Sequence, residues 1–313
     1  MTILVTGGCG FVGAFVVKRI AADGRDVVAF DSGGNSDLLD SILTPQESKH
    51  VTVVRGDLLD LPHMLRLARE KRLEGIVHLA YMISISTMAN PAWSQQVNIV
   101  GTNNIFELAL AAGGKRVAWA STVDVFGPRS LGADGTIDDN APYDPTNIYG
   151  ACKMLNEVSA MEYAKNFGLD AFALRLPAVF GPGTTRSWTR FIPQLIEALV
   201  KKEVGVAPSY DKIMPWAYVE DIAEAFNRAL NTKGHVDRAL TLAGKEESVV
   251  EIVKMVRKLF PNGEIRLEDF QGQGAMPRYL GGDAKGLLGW DAKISFEEGL
   301  RRIADYYRRK IGK

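Results

Sequence analysis

The sequence predicts an α/β fold: a doubly wound parallel sheet covered by helices on both faces, with a smaller, discontinuous C-terminal lobe. Three observations predict it. Through the first half of the chain, short runs rich in β-branched residues alternate with longer segments of helical spacing. The runs are nearly continuously apolar, as strands must be when neither face meets water. A glycine-rich loop follows the first run directly and opens the first helical segment.

The strand-like runs are, in order, "TILVT" (2–6), "DVVAF" (26–30), "VTVVRG" (51–56), "GIVHLA" (75–80), "RVAWAS" (116–121) and "AFALRL" (171–176). After Leu176 the rhythm changes. The loop "PAVFGPGTTRSW" (177–188) precedes a helix near Arg190 to Lys202, and "VEDIAEAFNRAL" (219–230) is a second helix with acidic residues at its start. "RALTLAG" (238–244) reads as a strand. From about Ser248 come a helix, the short strand "EIRLE" (264–268), a glycine-rich loop and the amphipathic helix "SFEEGLRRIADYYRRK", which Ser295 caps with Glu298 three residues on. No internal repeat, low-complexity tract or Pro/Ser linker interrupts the chain, so the second lobe is expected to grow out of the first through several crossings.

Bulk composition narrows the class of function. The 313 residues are 46% hydrophobic and 24% charged, near the globular average. Lys plus Arg and Asp plus Glu both total 37, so no global field draws nucleic acid or an anionic membrane, and a small, locally charged ligand fits better. No apolar run is long enough for a membrane span. Two cysteines, Cys9 and Cys152, make no disulfide framework, and strand-like sequence begins at Thr2, so the expected setting is cytoplasmic. His50, His63, His78 and His235 are scattered without ligand spacing, so no metal site is expected.

"VTGGCGFVG" places Gly7, Gly10 and Gly13 between the first strand and the first helix. Small residues there permit a tight turn, close approach of backbone N–H groups to a pyrophosphate, and close packing of helix on sheet, with the helix N-terminus facing the anion. Asp31 ends the second strand, 18 residues after Gly13. Its carboxylate can accept from both ribose hydroxyls and repels a 2′-phosphate, and no arginine follows in "DSGGNSD", so NAD is favoured over NADP. Residues 1–176 with about 213–244 are therefore read as an NAD-binding, Rossmann-like domain, and about 177–212 with 245–313 as a substrate lobe. Asp57, in "RGDLLD", ends the third strand; it either reaches the adenine amino group or caps the next helix, a role for which Asp60 competes.

"YGACK" puts Tyr149 and Lys153 four residues apart in a helical segment, hence on one face. An ammonium and the positive nicotinamide of an oxidised cofactor favour phenolate, letting Tyr149 take the proton of a substrate alcohol as hydride leaves, while Lys153 also bonds the ribose. "AWASTVDVFG" supplies the hydroxyl that orients the substrate oxygen, with Ser121 and Thr122 both at the end of the fifth strand. An isolated Tyr–Lys pair is more often a packed ring and a solvated ammonium; the glycine loop and Asp31 change that reading. His78 lies in an apolar strand and reads as a satisfied core histidine.

With "TGGCGFVG", Asp31, Asp57, "HLA" (78–80), "VNIVGT" (97–102), "STVDVFG" (121–127), "YGACK" and "RLPAVFGPG" (175–183), the chain resembles the extended short-chain dehydrogenases, the NAD-dependent epimerase/dehydratase family. The similarity runs through "LLGWDAKISFEEGL" (287–300) and so covers nearly the whole chain. It implies a catalytic set of Thr122, Tyr149 and Lys153. It implies cofactor contacts from Gly7, Gly10, Phe11, Val12, Gly13, Asp31, Ser32, Asp57, Leu58, Leu79, Ala80, Asn98, Tyr149, Lys153, Pro177 and Val179, Asn98 also holding the site's architecture. It further implies a homodimer through helices around Trp93 to Gly113 and Ala141 to Gly168.

The sequence departs from the family on the substrate side. Nucleotide-sugar members carry an Asn and an Arg for the substrate's diphosphate; Ala178 stands at the first position, and Met214 and Pro215 replace the Arg-Asp pair of the second. Such charge-assisted bonds are each worth about 1.5–3 kcal/mol. "YMISISTMANPAW" (81–93) and "TTRSWTRF" (184–191) are expected to line the substrate pocket, with Ser84, Thr122, Asp124, Thr185, Arg186 and Trp188 as candidate contacts; Arg186 and Arg190 either take a substrate carboxylate or are solvated. Sugar dehydratases carry an acid near Asp124, but Val123 stands where its partner acid is usual. The expected activity is therefore NAD-dependent oxidation or reduction of a secondary alcohol or ketone on a small polar substrate, such as a free sugar or sugar acid. The alternatives are a nucleotide-sugar epimerase or dehydratase with transiently reduced, bound NAD, and a non-catalytic NAD sensor, against which the intact catalytic set counts.

Overall fold

A computed structural model describes residues 2–33, 35–83, 87, 89–185, 187–211, 213–232, 239–269 and 277–312. Its strands are β1 (Thr2–Thr6), β2 (Asp26–Asp31), β3 (Val51–Arg55), β4 (Leu73–His78), β5 (Arg116–Thr122), β6 (Thr136–Ile137) and β7 (Ala171–Leu176). They continue as β8 (Ala178–Phe180), β9 (Gly205–Ser209), β10 (Ile213–Tyr218), β11 (Leu240–Thr241), β12 (Lys245–Ser248), β13 (Ile265–Asp269) and β14 (Arg278–Tyr279).

Seven strands form one sheet in the order β11-β7-β5-β4-β1-β2-β3, with every neighbouring pair parallel. Successive side chains of a strand point to opposite faces. In β1, Ile3 and Val5 enter one core while Leu4 enters the other, and all three are fully buried. Both faces of the inner strands are thus covered, which is why they read as unbroken apolar runs; β3, at the edge of the sheet, departs from that expectation with Thr52 and Val53 exposed. The order reverses between β1 and β4, so their carboxyl ends, with that of β5, border the crevice where ligands enter such sheets.

The helix Phe11–Ala22 buries Ala14, Phe15, Val17 and Ile20 under this sheet and packs against the helix Val219–Asn231. Beyond the main sheet, β10 pairs in parallel with β8 and antiparallel with β12, β13 with β9, and β14 with β6. Phe180 stacks on Phe296 at 4.8 Å, tying β8 to the helix Phe296–Ile311. The strand expected over 238–244 is confined, among the described residues, to Leu240–Thr241.

Two expectations about helix ends need correction. The helix expected from Ala141 begins at Ile148, because Asn147 caps it by accepting from the Gly150 N–H at 2.8 Å, and Pro145 has no N–H to give an earlier turn. Ser295 does cap the last helix, accepting from the Glu298 N–H at 3.2 Å. Glu298 does not complete a capping box: its carboxylate goes to Arg302 at 2.8 Å and to Arg301 at 3.3 Å.

Candidate active site

The glycine loop is a cradle that side chains would fill. Gly7 has φ +68°, and a Cβ there would lie 2.8 Å from the Ala80 nitrogen. A Cβ on Gly13 would lie 1.9 Å from the Gly7 carbonyl oxygen, which itself accepts from the Gly10 N–H at 3.0 Å. Phe11 and Val12 are the first residues of the helix that follows, so their N–H groups belong to its open end. Across the crevice, the Thr6 hydroxyl accepts from the Leu79 and Ala80 N–H groups at 3.2 and 3.3 Å, drawing the end of β4 to the loop.

The Asp31 carboxylate accepts from the Cys9 N–H at 3.2 Å and from the Gly33 N–H at 3.0 Å, with exposed Ser32 between. Two backbone donors leave lone pairs for further donors, which fits a ribose diol. Asp60, not Asp57, caps the helix Leu61–Lys71, accepting from the His63 N–H at 2.9 Å. Asp57 is exposed and accepts from the Leu59 N–H at 2.9 Å, while Leu58 is buried against Gly101. The loop, the first helix and Asp31 together fit a dinucleotide whose adenosine ribose carries no phosphate.

A π-helical turn, Gln96–Val100, carries Asn98 between two helical pieces, Pro91–Gln95 and Gly101–Ala111. Such turns recur at functional sites. Asn98 accepts from the Met82 N–H at 2.8 Å and donates to the Met82 carbonyl at 2.9 Å, pinning the chain just beyond β4. Asn156 donates to the Asn98 carbonyl at 2.9 Å. His78 has hydroxyl partners at both ring nitrogens, Thr6 at 2.7 Å and Thr102 at 3.0 Å. Burial, then the Lys153 charge, pushes it down to about 3, so it is a neutral core residue.

Thr122, Tyr149 and Lys153 converge from the end of β5 and the first turns of the helix Ile148–Phe167. The Thr122 hydroxyl lies near enough to the Tyr149 phenol to lower it, and it accepts from the Asp124 N–H at 3.2 Å. Gly150 lets this helix touch the strand end: a Cβ there would lie 2.1 Å from the Asp124 carbonyl oxygen. Buried Lys153 donates to the Ala120 carbonyl, and its ammonium lies 3.4 Å from the Tyr81 ring centroid. Burial pulls Lys153 down to about 7 against the raising charges of Glu157 and Cys152.

The phenol is not acidified by the protein alone. Burial and the Asp124 charge raise Tyr149, and only the nearby Thr122 hydroxyl lowers it. The Lys153 ammonium is turned to the Ala120 carbonyl and the Tyr81 ring.

On the substrate side, burial raises the Asp124 carboxyl, and the buried Tyr279 of β14 sits close enough to feel its charge. Thr185 is exposed, and Trp188 stacks on Phe191 at 6.1 Å and meets the Trp216 ring at a tilt, 5.1 Å between centroids. Ser84 and Arg186 lie outside the described residues. Pro177 is buried, and Val179 accepts from the Thr189 hydroxyl at 2.9 Å. A Cβ on Gly181 would meet Val219 at 2.5 Å and Phe11 at 3.2 Å, so the end of β8 reaches the start of the first helix. Met214 is buried in the core, and Pro215 pairs with Glu246 within the small sheet. No group of three or more His, Cys, Asp or Glu side chains able to hold a metal occurs among the described residues. Sequence reasoning missed Tyr81, Asn156 and Tyr279. Asn156 was within reach of it, three residues past Lys153 on the same helix face, whereas Tyr279 comes from the far end of the chain.

A model of the NAD dependent epimerase/dehydratase family matches residues 3–242. The dTDP-glucose 4,6-dehydratase of Neisseria meningitidis serogroup B is 29% identical over 332 residues, 97% of this chain and 92% of that protein. The UDP-glucose 4-epimerase of Mycolicibacterium smegmatis is 28% identical over 323 residues, 99% of each chain. Against an Arabidopsis thaliana trifunctional UDP-glucose 4,6-dehydratase/UDP-4-keto-6-deoxy-D-glucose 3,5-epimerase/UDP-4-keto-L-rhamnose-reductase, 26% identical, this chain spans 46% of the relative's length. The fold is that of the Thermotoga maritima UDP-glucose 4-epimerase solved with UDP-glucose, at TM-score 0.85 and 23% identity over 99% of this chain and 100% of that one. The chain therefore belongs to the NAD-dependent epimerase/dehydratase family, and is an NAD-dependent enzyme of the short-chain dehydrogenase type.

Proposed function

We propose that the chain is a nucleotide-sugar epimerase, which oxidises one sugar carbon and reduces it again from the opposite face. The observation that carries this reading is the Thr122 hydroxyl acting on the Tyr149 phenol, with buried Lys153 one turn on along the same helix, in a chain that aligns end to end with a UDP-glucose 4-epimerase. Bound NAD supplies the hydride acceptor and then the donor. Thr122 orients the substrate oxygen. Tyr149 takes the hydroxyl proton as the C–H bond breaks and returns it to the oxygen when the bond re-forms. Lys153 compensates the charge that develops on the phenol.

This reading takes the place of the free-sugar dehydrogenase that Ala178, Met214 and Pro215 led us to expect. Those residues remain the support for net oxidation of a free sugar or sugar acid as the second reading. Incubation with NAD and UDP-glucose, UDP-galactose or dTDP-glucose, in parallel with free sugars, uronates, polyols and hydroxy acids, separates the two. Isomer exchange without net NADH supports the epimerase; net NADH from a free compound overturns it.

The same reading includes a homodimer in a reducing, cytoplasmic setting. Trp93 and Val100 (47% and 44% exposed), with Leu155, Val158 and Met161 (42%, 38% and 39%), give the helices Pro91–Ala111 and Ile148–Phe167 an apolar outer face. A second copy of the chain covers such a face with a self-complementary contact. Cys9 and Cys152 are both free and buried. No described helix is long and apolar enough to cross a membrane.

A further inference from the structure

Tyr81 directly follows the strand motif "HLA", and no catalytic or cofactor role above uses it. Its ring face carries the Lys153 ammonium 3.4 Å from the centroid, and the same ring meets the Tyr149 ring nearly perpendicularly, at 5.6 Å and 80°. Its position is built rather than incidental. Asn98 holds the next residue, Met82, through both backbone groups, and Asn156, itself tied to Asn98 and Thr102, donates to the Tyr81 hydroxyl at 3.4 Å. We infer that Tyr81 is a positioning residue for the proton-transfer pair: its ring face holds the Lys153 ammonium, and its contact with Tyr149 sets the phenol beside Thr122. The inference rests on Tyr149 and Lys153 being that pair.

Chemistry at Lys153 explains why a ring is needed. The ammonium is buried, and among the described side chains its titratable neighbours are few. Glu157 and Cys152 act from its own helix, neutral His78 stands on β4, and Asp124 acts on Tyr149 rather than on the lysine. Ala120 takes one of its three N–H groups. A π face over a desolvated cation favours the charged form without adding a second carboxylate, which would oppose ionisation of Tyr149. Trp119 contributes a second ring at 5.7 Å, too far to replace the first. The hydroxyl of Tyr81 serves the Asn156 contact; the ring serves the lysine.

The test reads Lys153 directly in protein without NAD or sugar, so it stands apart from the epimerase reading. In 13C-lysine-labelled protein, the Lys153 εCH2 signal is assigned by its absence from Lys153→Met and followed against pH. The wild type is expected to show an upfield, ring-shifted εCH2 resonance that titrates near 7. Tyr81→Phe keeps both properties. Tyr81→Leu loses the ring shift and lowers the titration midpoint by about one unit, a tenfold smaller charged fraction above it. The sign follows from losing a partner of the cationic form. An unchanged Lys153 signal in Tyr81→Leu, or equal loss in Tyr81→Phe, overturns the inference. If Tyr81→Leu does not fold, the wild type decides, because an ordinary lysine resonance there is equally fatal. Where exchange activity is present, the acid limb of its pH–rate profile moves upward in Tyr81→Leu and stays in place in Tyr81→Phe.

Discussion

Arg175 and Glu157 form a bidentate ion pair inside the protein, Nε to Oε1 at 3.0 Å and Nη2 to Oε2 at 2.7 Å, and it fastens β7 to the helix that carries Tyr149 and Lys153. Glu157 also accepts from the Ser121 hydroxyl, one residue before Thr122, and from the Tyr143 phenol at 2.7 Å. The Arg175 guanidinium lies over Phe126 at 4.6 Å, and it donates to the Asp139 carbonyl at 3.1 Å. The helix that carries Tyr149 and Lys153 and the strand end that carries Thr122 are thus held in register by one buried charge network. Removing one partner of such a pair strands the other charge, at about 3–5 kcal/mol. Arg175→Met is expected to lower the urea midpoint accordingly, while Arg175→Met with Glu157→Leu recovers part of the loss.

Asp124 is a cost to stability as well as part of the site. Burial holds its carboxyl above the usual range, so the folded protein binds this proton more tightly than the unfolded chain does. That contribution is fully present below the unfolded value of about 3.9 and is lost as pH rises through the folded value. Asp124→Asn should therefore melt higher than wild type at pH 7, with the difference closing near pH 3. Because the Asp124 charge also raises Tyr149, the same variant should shift the acid limb of the exchange profile to lower pH. Loss of all activity instead would give Asp124 a proton transfer of its own, as a dehydratase requires.

Asp31 tests cofactor recognition. Its carboxylate is already held by the Cys9 and Gly33 N–H groups, an orientation that suits the ribose contact expected of it. Asp31→Ala removes charge-assisted bonds worth about 1.5–3 kcal/mol, a loss of roughly tenfold to a hundredfold in NAD affinity. Affinity for NADP should fall less, since the repulsion of a 2′-phosphate disappears with the carboxylate. Calorimetric titration of both cofactors checks this.

The outer face of the helix Ile148–Phe167 tests assembly. Leu155→Glu with Met161→Glu places charges where a second copy is proposed to sit. Light scattering at micromolar protein should show a dimer for the wild type and a monomer for the variant. A monomeric wild type contradicts the assembly.

Much of this was legible in the sequence, for reasons that separate cleanly. Strands with both faces covered announce themselves by local pattern, so the runs beginning at Thr2, Asp26, Arg116 and Ala171 coincide with observed strands, while the run at Val51 is a strand at the exposed edge of the sheet. The glycine loop is legible because backbone contact permits so few residues, as the 1.9 Å approach at Gly13 shows. The ion pair was not legible: Arg175 sits in the apolar run "AFALRL", and its partner is set by how β7 lies against a helix 18 residues away in sequence. Tyr279 escaped for the same reason, since only the pairing of β14 with β6 brings it to Asp124. The π turn around Asn98 leaves no compositional trace, because "QVNIV" suits an ordinary helix equally well.

The central claim is that Tyr149 moves a proton while hydride leaves and returns to the same sugar. UDP-glucose deuterated at C4, incubated with protein and NAD, should yield UDP-galactose that retains the deuterium, with no NADH beyond the protein concentration. Tyr149→Phe should slow this exchange by at least about a hundredfold, with NAD affinity unchanged. Deuterium accumulating in free reduced cofactor while a ketone builds up, or an undiminished rate in Tyr149→Phe, would contradict the account.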